Sequence, residues 1–337
     1  MDIPIISFLL SLLLSGHGLR KRSLSLGGAA TAFFVGLFTM AGGTRVFGVA
    51  LIGFYLVGSR ATKCKTTPME TLNIVYWLLI NLIDGKDKKS RLEDGYHEAG
   101  HRSGWQVLSN SFTALLASFL WNAAFAPNSI HSSLLRAWNM NLGRNLLQRS
   151  SGAVAVADGT WCTISDSVGE GWSRLLIFVA LGHFACCMGD TLASELGILS
   201  RSWPVLITTF KPVPPGTNGG VSAWGTFVSI AGGGFVGFLI GMTLIFENRP
   251  CRLMWNRTLA DTVVWGFFAG GFGSLVDSLL GATLQQTRYS KDKKLILQDS
   301  SRDDGQIISG FGILTNNQVN VVSSAICAGV VGWTVGR

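Results

Sequence analysis

The sequence predicts an all-α membrane protein, in which residues 1–337 form a single polytopic bundle of about eight transmembrane helices. Two observations predict this fold. The 337 residues are 48% hydrophobic and only 14% charged, with a mean hydropathy of +0.38, a balance that soluble domains do not show. Apolar stretches with few charges also recur along the chain, and several approach the ~20 residues that cross a hydrocarbon core.

The apolar stretches run over residues 3–14, 26–40, 46–58, 105–125, 175–188, 221–246, 262–284 and 319–335. The shorter ones need polar flanks to complete a span. The first lacks a basic leader and a clear small-residue cleavage site, so we expect a retained membrane anchor. No Arg- and Ser-rich transit peptide precedes it, so we expect a multi-pass protein of the endoplasmic reticulum, another endomembrane or the plasma membrane rather than the plastid envelope.

The basic residues predict an orientation. We assume that 26–40 and 46–58 form a tight hairpin around Gly42 and Gly43, and that each later stretch crosses once. One side then receives the loops 15–25, 59–104, 189–220 and 285–318. These loops hold all ten lysines and 18 of the 27 basic residues, so the positive-inside rule makes that side cytosolic. The net charge of +8 needs no nucleic-acid partner, because the basic residues form no stripe interleaved with aromatics.

Three loops are expected to be more than simple connections. Residues 60–104 form a cytosolic loop, in which the apolar stretch 71–84 is too short for a span and is expected to be interfacial or re-entrant. Residues 128–170 form a non-cytosolic loop. Within it, 134–149 places Leu and Trp about one helical turn apart, which favours a helix on the bilayer surface over an irregular loop. Residues 285–318 predict a polar cytosolic loop.

Cysteines and glycines are both interpreted as packing residues. The six cysteines contain no CxxC pair, so neither a zinc ribbon nor a disulfide framework is predicted. Glycines are dense in 231–241 and 266–282. Small residues three or four apart allow transmembrane helices to approach closely.

The stretch HEAGH (97–101) matches the HExxH pattern of zinc metalloproteases, in which two histidines on one helix face hold the metal. Gly100 and the charged residues around the stretch disfavour a stable helix, and no third ligand is evident. An intramembrane metalloprotease is therefore the weakest of three functional hypotheses.

Acidic residues stand at the ends of two apolar stretches. In CCMGDTLASELG (186–197), Asp190 and Ser194 are four positions apart and share a helix face, with Glu195 on the adjacent stripe. Asp277 lies about two turns inside its span, where an unpaired carboxylate is costly. Such groups predict an ion pathway, a metal or a charged ligand, and the alternative is a helix end that emerges into water.

The stretch ITTFKPVPPGTNGGVSAWG (207–225) predicts a rigid proline turn and a backbone that can approach a ligand closely. Lys211 and Asn218 are expected donors to phosphate oxygens, beside Gly216, Gly219 and Gly220. An ordinary turn between helices is the alternative.

The predicted topology places six of these groups on the cytosolic side: Asp190, Glu195, Lys211, Asn218, Asp277 and Asn317. Asn317 is also explained by helix packing through amide side chains. Three carboxylates, a lysine and a glycine-rich turn are the parts expected for Mg²⁺ and nucleotide phosphates, where catalysis is mostly positioning and charge neutralisation. We therefore expect Asp190, Glu195 and Asp277 on the metal, and Asn218 and Asn317 on the nucleotide.

At these residues the chain resembles the transmembrane protein 19 family, also described as domain of unknown function 92. The matching stretches are GLRKRSLSLGGA (18–29), EDGYHEAGHRSGWQVLSN (93–110), GDTLASELG (189–197), PVLITTFKPVPPGTNGGV (204–221), GSLVDSLLGAT (273–283) and ILTNNQVN (313–320). In the family, the HEAGH stretch usually reads more like EGGQ, which disfavours the protease. Residues 64–88 and 128–155 look like insertions relative to family members.

The family includes a plant phytyl-phosphate kinase, which makes phytyl diphosphate with a nucleoside triphosphate, and plant proteins linked to sugar responses. The resemblance thus implies phosphoryl transfer from CTP or another nucleotide to an isoprenoid phosphate, with the substrate tail between glycine-rich helices. The alternative is a transporter or regulatory membrane protein without chemistry. A looser similarity to the CDP-diglyceride synthase signature places the following residues on the nucleotide and metal side: Asp190, Ser194, Lys211, Gly216, Gly219 and Gly220. Asp190, Lys211 and Asp277 are the expected catalytic groups.

Overall fold

The computed structural model describes residues 4–63, 101–140, 161–200, 202–291, 295–297 and 305–335. Most of these residues are helical, as predicted. The α-helices within these ranges are α1 (Ile5–Arg20), α2 (Leu26–Met40), α3 (Val46–Lys63), α4 (Gly104–Ser109), α5 (Phe112–Phe125), α6 (Ile130–Ala137), α7 (Trp172–Leu196), α8 (Ala223–Glu247), α9 (Arg249–Leu253), α10 (Trp255–Leu284) and α11 (Asn316–Val335).

Four helical segments of the described chain are long and apolar enough to cross a bilayer. They are Gly169–Leu199, which contains α7, and the helices α8, α10 and α11. The shorter apolar helices α1, α2, α3 and α5 coincide with the remaining predicted stretches. The chain is thus a helical membrane protein, and the count of eight crossings stays a prediction.

Helix α7 is the centre of the bundle and packs against α3, α5, α8, α10 and α11. Helices α8 and α10 contact each other backbone to backbone through glycines. A Cβ added at Gly266 would lie 2.5 Å from the carbonyl oxygen of Gly233, and one added at Gly237 would overlap the Thr262 carbonyl. The packing interpretation of these glycines is confirmed. The two helices leave no space for a substrate tail at these positions, and the location of the tail stays a prediction.

The turn between α2 and α3 has the tight form predicted around Gly42 and Gly43. The Gly43 amide donates to Oδ1 of Asn122 at 2.8 Å. The start of α3 is tied to the end of α8, where the Glu247 carboxylate accepts from Thr44 Oγ1 at 3.0 Å. This hairpin therefore lies at the same end of the bundle as the carboxyl terminus of α8.

Two helix boundaries differ from the predicted stretches. The stretch 105–125 is divided into α4 and α5, with Asn110 ending α4 and Ser111 preceding α5. Helix α4 starts with a capping box, in which Ser103 and Gln106 satisfy each other's backbone amides. Helix α7 continues through the acidic stretch and ends only at Leu196, with Gly197 as its C-cap.

The all-α prediction is wrong for two small antiparallel sheets. One pairs β1 (Val205–Leu206) with β2 (Gly220–Val221), and the other has the order β4 (Leu295–Leu297), β3 (Thr287–Ser290), β5 (Gln306–Ser309). The segment 285–318, predicted as a polar loop, therefore contains a sheet. Its strands are only three or four residues long. Such short runs of β-branched and aromatic residues between charged residues give only a weak strand signal in the sequence.

The predicted surface helix in 134–149 is only partly covered by the described residues. Helix α6 spans Ile130–Ala137, so the helical turn begins earlier than predicted. The interfacial stretch 71–84 and the expected insertion 64–88 lie outside the described residues.

A disulfide joins Cys162 to Cys251, which corrects the prediction that the cysteines serve only packing. The cysteine spacing carried no CxxC signal because the partners are 89 residues apart. The bond lies beside α9, where Asn248 Nδ2 donates to the Trp161 carbonyl at 2.8 Å. Disulfides persist in oxidising compartments, so we expect this end of the bundle to be non-cytosolic.

We expect Cys251→Ser to lower the free energy of unfolding by about 2–5 kcal/mol, because the cross-link restrains the unfolded chain. Thermal unfolding in detergent measures this loss. Cys162→Ser should cost the same, and the double variant no more than either single variant. Additive losses, or maleimide labelling of both cysteines in the unreduced protein, would contradict the bond.

Candidate functional site

A polar cavity lies at one end of the bundle, between α4, α7, α10, α11 and the segment that joins α7 to α8. Its volume is about 710 Å³. Every predicted site residue except Lys211 lines it: Asp190, Ser194, Glu195, Gly216, Asn218, Gly219, Gly220, Asp277 and Asn317. The structure thus gathers residues from four separate regions of the sequence around one space.

The carboxyl-terminal end of α7 supplies the acidic wall of the cavity. A Cβ added at Gly189 would lie 2.8 Å from the Gly270 carbonyl oxygen and 2.9 Å from that of Ser229. Helix α7 is therefore held directly against α8 and α10, which fixes the position of Asp190 at the next residue. Ser194, one turn later, is exposed, and its hydroxyl donates to the Thr191 carbonyl at 3.0 Å.

Asp190 and Asp277 form a carboxyl pair. Both side chains line the cavity and lie close enough to interact electrostatically, and Asp277 Oδ2 accepts from Ser323 Oγ at 2.8 Å. Two carboxylates in contact repel each other unless a proton or a cation lies between them. This pair therefore joins α7 to α10 at a place where a positive charge is stabilised.

Glu195 faces a different partner, Arg102. The loop before α4 docks beside Leu24, where the Arg102 amide donates to the Ser23 carbonyl at 3.1 Å. Burial lowers the pKa of the Arg102 guanidinium, while the charges of Glu195 and Tyr55 raise it. In this partly desolvated position a cation attracts anions more strongly than it does in water.

The proline and glycine turn forms another wall. Gly216 and Gly219 have positive φ values of 91° and 78°, which L-residues rarely adopt. A Cβ at Gly219 would lie 2.5 Å from the Ser278 carbonyl oxygen, so the turn rests on α10. Asn218 also anchors the turn, because its Nδ2 donates to the Gln286 carbonyl at 3.3 Å. Its predicted role as a phosphate donor therefore competes with a structural bond.

Lys211 lies apart from the cavity. It is exposed, and its backbone closes the short turn at 206–211, where its carbonyl accepts from the Leu206 amide at 2.9 Å. The residue at the cavity's described wall that carries a fixed positive charge is instead Arg102. Lys211 was the basic group predicted at the site, and the structure places Arg102 there instead.

Arg102, Gln106 and Asn110 line the cavity but were not predicted. Asn110 Oδ1 accepts from Asn320 Nδ2 at 3.3 Å, which connects α4 to α11. A signal was present for Gln106 and Asn110, because they are four positions apart and share one face of α4, whereas Arg102 precedes the helix. They also fall within the stretch 93–110 that resembles the family.

The described residues do not gather three or more His, Cys, Asp or Glu side chains into a group that could hold a metal ion. Glu195 is placed with Arg102 rather than with the carboxyl pair. The first four residues of the HEAGH stretch lie outside the described ranges, and His101 is exposed.

Two carboxyl groups are enough protein ligands for Mg²⁺, which does not need a site built entirely from protein side chains. Mg²⁺ is usually held by one or two carboxylates, water and substrate phosphates. Asp190 and Asp277 supply two interacting carboxyl groups at a cavity whose other lining residues include hydroxyls, amides and glycines as well as Arg102 and apolar side chains.

Comparison with known proteins gives consistent matches. The family model described as integral membrane protein DUF92 matches residues 9–328. The chain is 31% identical to Protein PGR of Arabidopsis thaliana, over 95% of this chain and 91% of that one. It is 30% identical to the membrane protein MJ0933 of Methanocaldococcus jannaschii, over 45% and 48%.

It is also 23% identical to a protein of Arabidopsis thaliana named Protein VTE6, chloroplastic, over 92% of this chain and 65% of that one. No solved structure matches the chain at a comparable level.

Proposed function

Because the chain belongs to the DUF92 family of integral membrane proteins, we propose that it transfers a phosphoryl group from CTP or another nucleoside triphosphate to an isoprenoid alcohol phosphate. The observation that carries the proposal is the carboxyl pair of Asp190 and Asp277 at the wall of a polar cavity. The family's inclusion of a phytyl-phosphate kinase supports the choice of substrate.

The transfer does not need a histidine as a general base. A phosphate oxygen of the acceptor attacks the terminal phosphorus of the nucleotide, the bond to the bridging oxygen breaks, and the nucleoside diphosphate leaves with that oxygen. The acceptor oxygen is already a nucleophile, so no base needs to remove a proton from it. The products are a prenyl diphosphate and a nucleoside diphosphate.

The residues have separate tasks in this reaction. Asp190 and Asp277 would hold the metal, and Arg102 would attract the anionic groups of donor or acceptor. Bound Mg²⁺ would neutralise charge on the phosphate oxygens. The glycine turn at 216–220 allows phosphates to approach the backbone. Lys211 and Glu195 are assigned no direct part in the transfer.

One relative carries the word chloroplastic in its name, which goes against the expected preference for endomembranes or the plasma membrane. The family consists of integral membrane proteins, and the chain itself is an integral, multi-pass membrane protein. We expect the end of the bundle that bears the cavity to be the cytosolic or stromal side, because the cavity lies at the end opposite the Cys162–Cys251 bond.

The proposal is tested by incubating purified protein in lipid nanodiscs with terminally labelled CTP, ATP, GTP or UTP and geranylgeranyl or phytyl phosphate. We expect labelled prenyl diphosphate that depends on Mg²⁺ and is lost with EDTA. A folded protein that forms no diphosphate with any of the four nucleotides refutes the kinase. Nucleotide-free uptake of prenyl phosphate into vesicles would instead support the transporter.

A further inference from the structure

A second, apolar cavity lies between α1, α2, α3 and α4. Its volume is about 80 Å³. The apolar part of its wall includes Leu14, Val35, Gly36, Leu51, Ile52 and Val107. We call this space the apolar chamber.

The serine hydroxyls at the wall of the chamber donate to carbonyls of their own helices. Ser11 Oγ donates to the Ser7 carbonyl at 2.7 Å, and Ser15 Oγ to the Ser11 carbonyl at 2.7 Å. Ser111 Oγ donates to the Val107 carbonyl at 2.8 Å. These serines therefore offer a ligand little beyond methylene surface, and the chamber suits a hydrocarbon.

The chamber and the polar cavity share part of their walls. The shared residues are Phe54, Arg102, Gln106 and Asn110. The fixed charge of Arg102 thus stands where an apolar space meets a polar one. A ligand with an anionic group beside Arg102 can extend in two directions, toward the carboxyl pair on one side and into hydrocarbon surroundings on the other.

We infer that the apolar chamber binds the alkyl segment next to the phosphate of an amphiphilic phosphate substrate. The inference rests on the proposed function and adds where the acceptor lies. A volume of about 80 Å³ is too small for a whole prenyl chain, so the chamber takes the branched carbons nearest the phosphate. The rest of a long chain stays in the bilayer.

The chamber is expected to position the prenyl phosphate, and it adds little to the affinity for it. A lipid tail is as apolar as a leucine side chain, so a prenyl chain gains little by moving from the bilayer into an apolar pocket. A chain held at its phosphate end does, however, place the attacking oxygen relative to the donor, which is where orientation acts on rate.

The test uses a geranylgeranyl phosphate analogue with a diazirine in the isoprene unit next to the phosphate. The protein is photolabelled in phosphatidylcholine nanodiscs, and the labelled peptides are identified by mass spectrometry. We expect labelling within α1 to α4 that geranylgeranyl phosphate competes away and geranylgeraniol does not. Labelling in α8 or α10, or equal competition by geranylgeraniol, overturns the inference.

A matched pair of variants on α2 sharpens the test. Ala32 lines the chamber, whereas Ala30 is exposed and does not. Ala32→Phe should reduce specific labelling about tenfold or more by filling the space, and Ala30→Phe should leave it unchanged. Equal effects of the two variants overturn the inference.

Photolabelling does not require turnover, so the two proposals fail separately. Specific labelling without prenyl diphosphate formation refutes the kinase and leaves the chamber as a prenyl phosphate site. Diphosphate formation with labelling elsewhere refutes the chamber and leaves the kinase.

Discussion

Asp277→Asn should lower prenyl diphosphate formation by about 10²–10³-fold, the loss expected when one preorganised electrostatic group is removed from a site of charge transfer. The amide keeps the shape of the side chain and can still accept from Ser323 Oγ. It removes a negative charge that, in the proposed function, would hold Mg²⁺ together with Asp190. The rate with labelled nucleotide and saturating geranylgeranyl phosphate measures the effect.

The pair should act as a unit. Asp190→Asn is expected to cause a similar loss, and the double variant little more than either single variant, since residues that hold one group are not additive. Raising Mg²⁺ should restore part of the activity of a single variant.

Asp166→Asn is the matched control. Asp166 is an exposed aspartate that pairs with Arg174, near the amino-terminal end of α7 and far along the helix from Asp190. It should leave the rate unchanged. An Asp277→Asn protein with full activity would remove the carboxyl pair from the mechanism.

Gly233→Ala should destabilise the folded protein by about 3 kcal/mol or more, the upper range for overpacking a well-packed interior. The added methyl group would meet the Gly266 carbonyl and the Gly270 backbone on α10. Backbone atoms cannot change rotamer to make room, so the two helices must separate. Thermal unfolding in detergent and the yield of monodisperse protein measure the loss.

Gly329→Ala is the control for this variant. Gly329 lies in the apolar helix α11, and a Cβ added there meets no atom within 4 Å. The change should be neutral or slightly stabilising, because alanine favours helices over glycine. If both variants lose stability equally, the contact between α8 and α10 is not what holds these helices.

The sequence was sufficient for the features that depend on local pattern. Apolar runs predicted the principal helices, and the spacing of Asp190 and Ser194 predicted their shared face because α7 continues through them. The proximity of Asp190 and Asp277 was predicted from the topology alone, because both residues lie near span ends that were expected on the same side of the membrane.

Features that depend on tertiary contact were missed. Arg102 became a site residue only because its loop docks beside Leu24, and nothing in the local sequence shows that contact. Lys211 was predicted at the site from its neighbouring prolines. In the structure its carbonyl accepts from the Leu206 amide, and this turn holds the residue outside the cavity wall. The Cys162–Cys251 bond joins residues whose separation carries no spacing signal.

That bond has a consequence for biogenesis. Between its two cysteines the chain contains the long helices α7 and α8. The two thiols therefore reach the same side of the membrane only when both helices are inserted and cross it in opposite directions. A chain with one of them misinserted would separate the thiols by the thickness of the bilayer. Formation of the disulfide therefore indicates correct insertion. The fraction of newly made molecules in which Cys162 and Cys251 stay reduced would measure how often insertion fails.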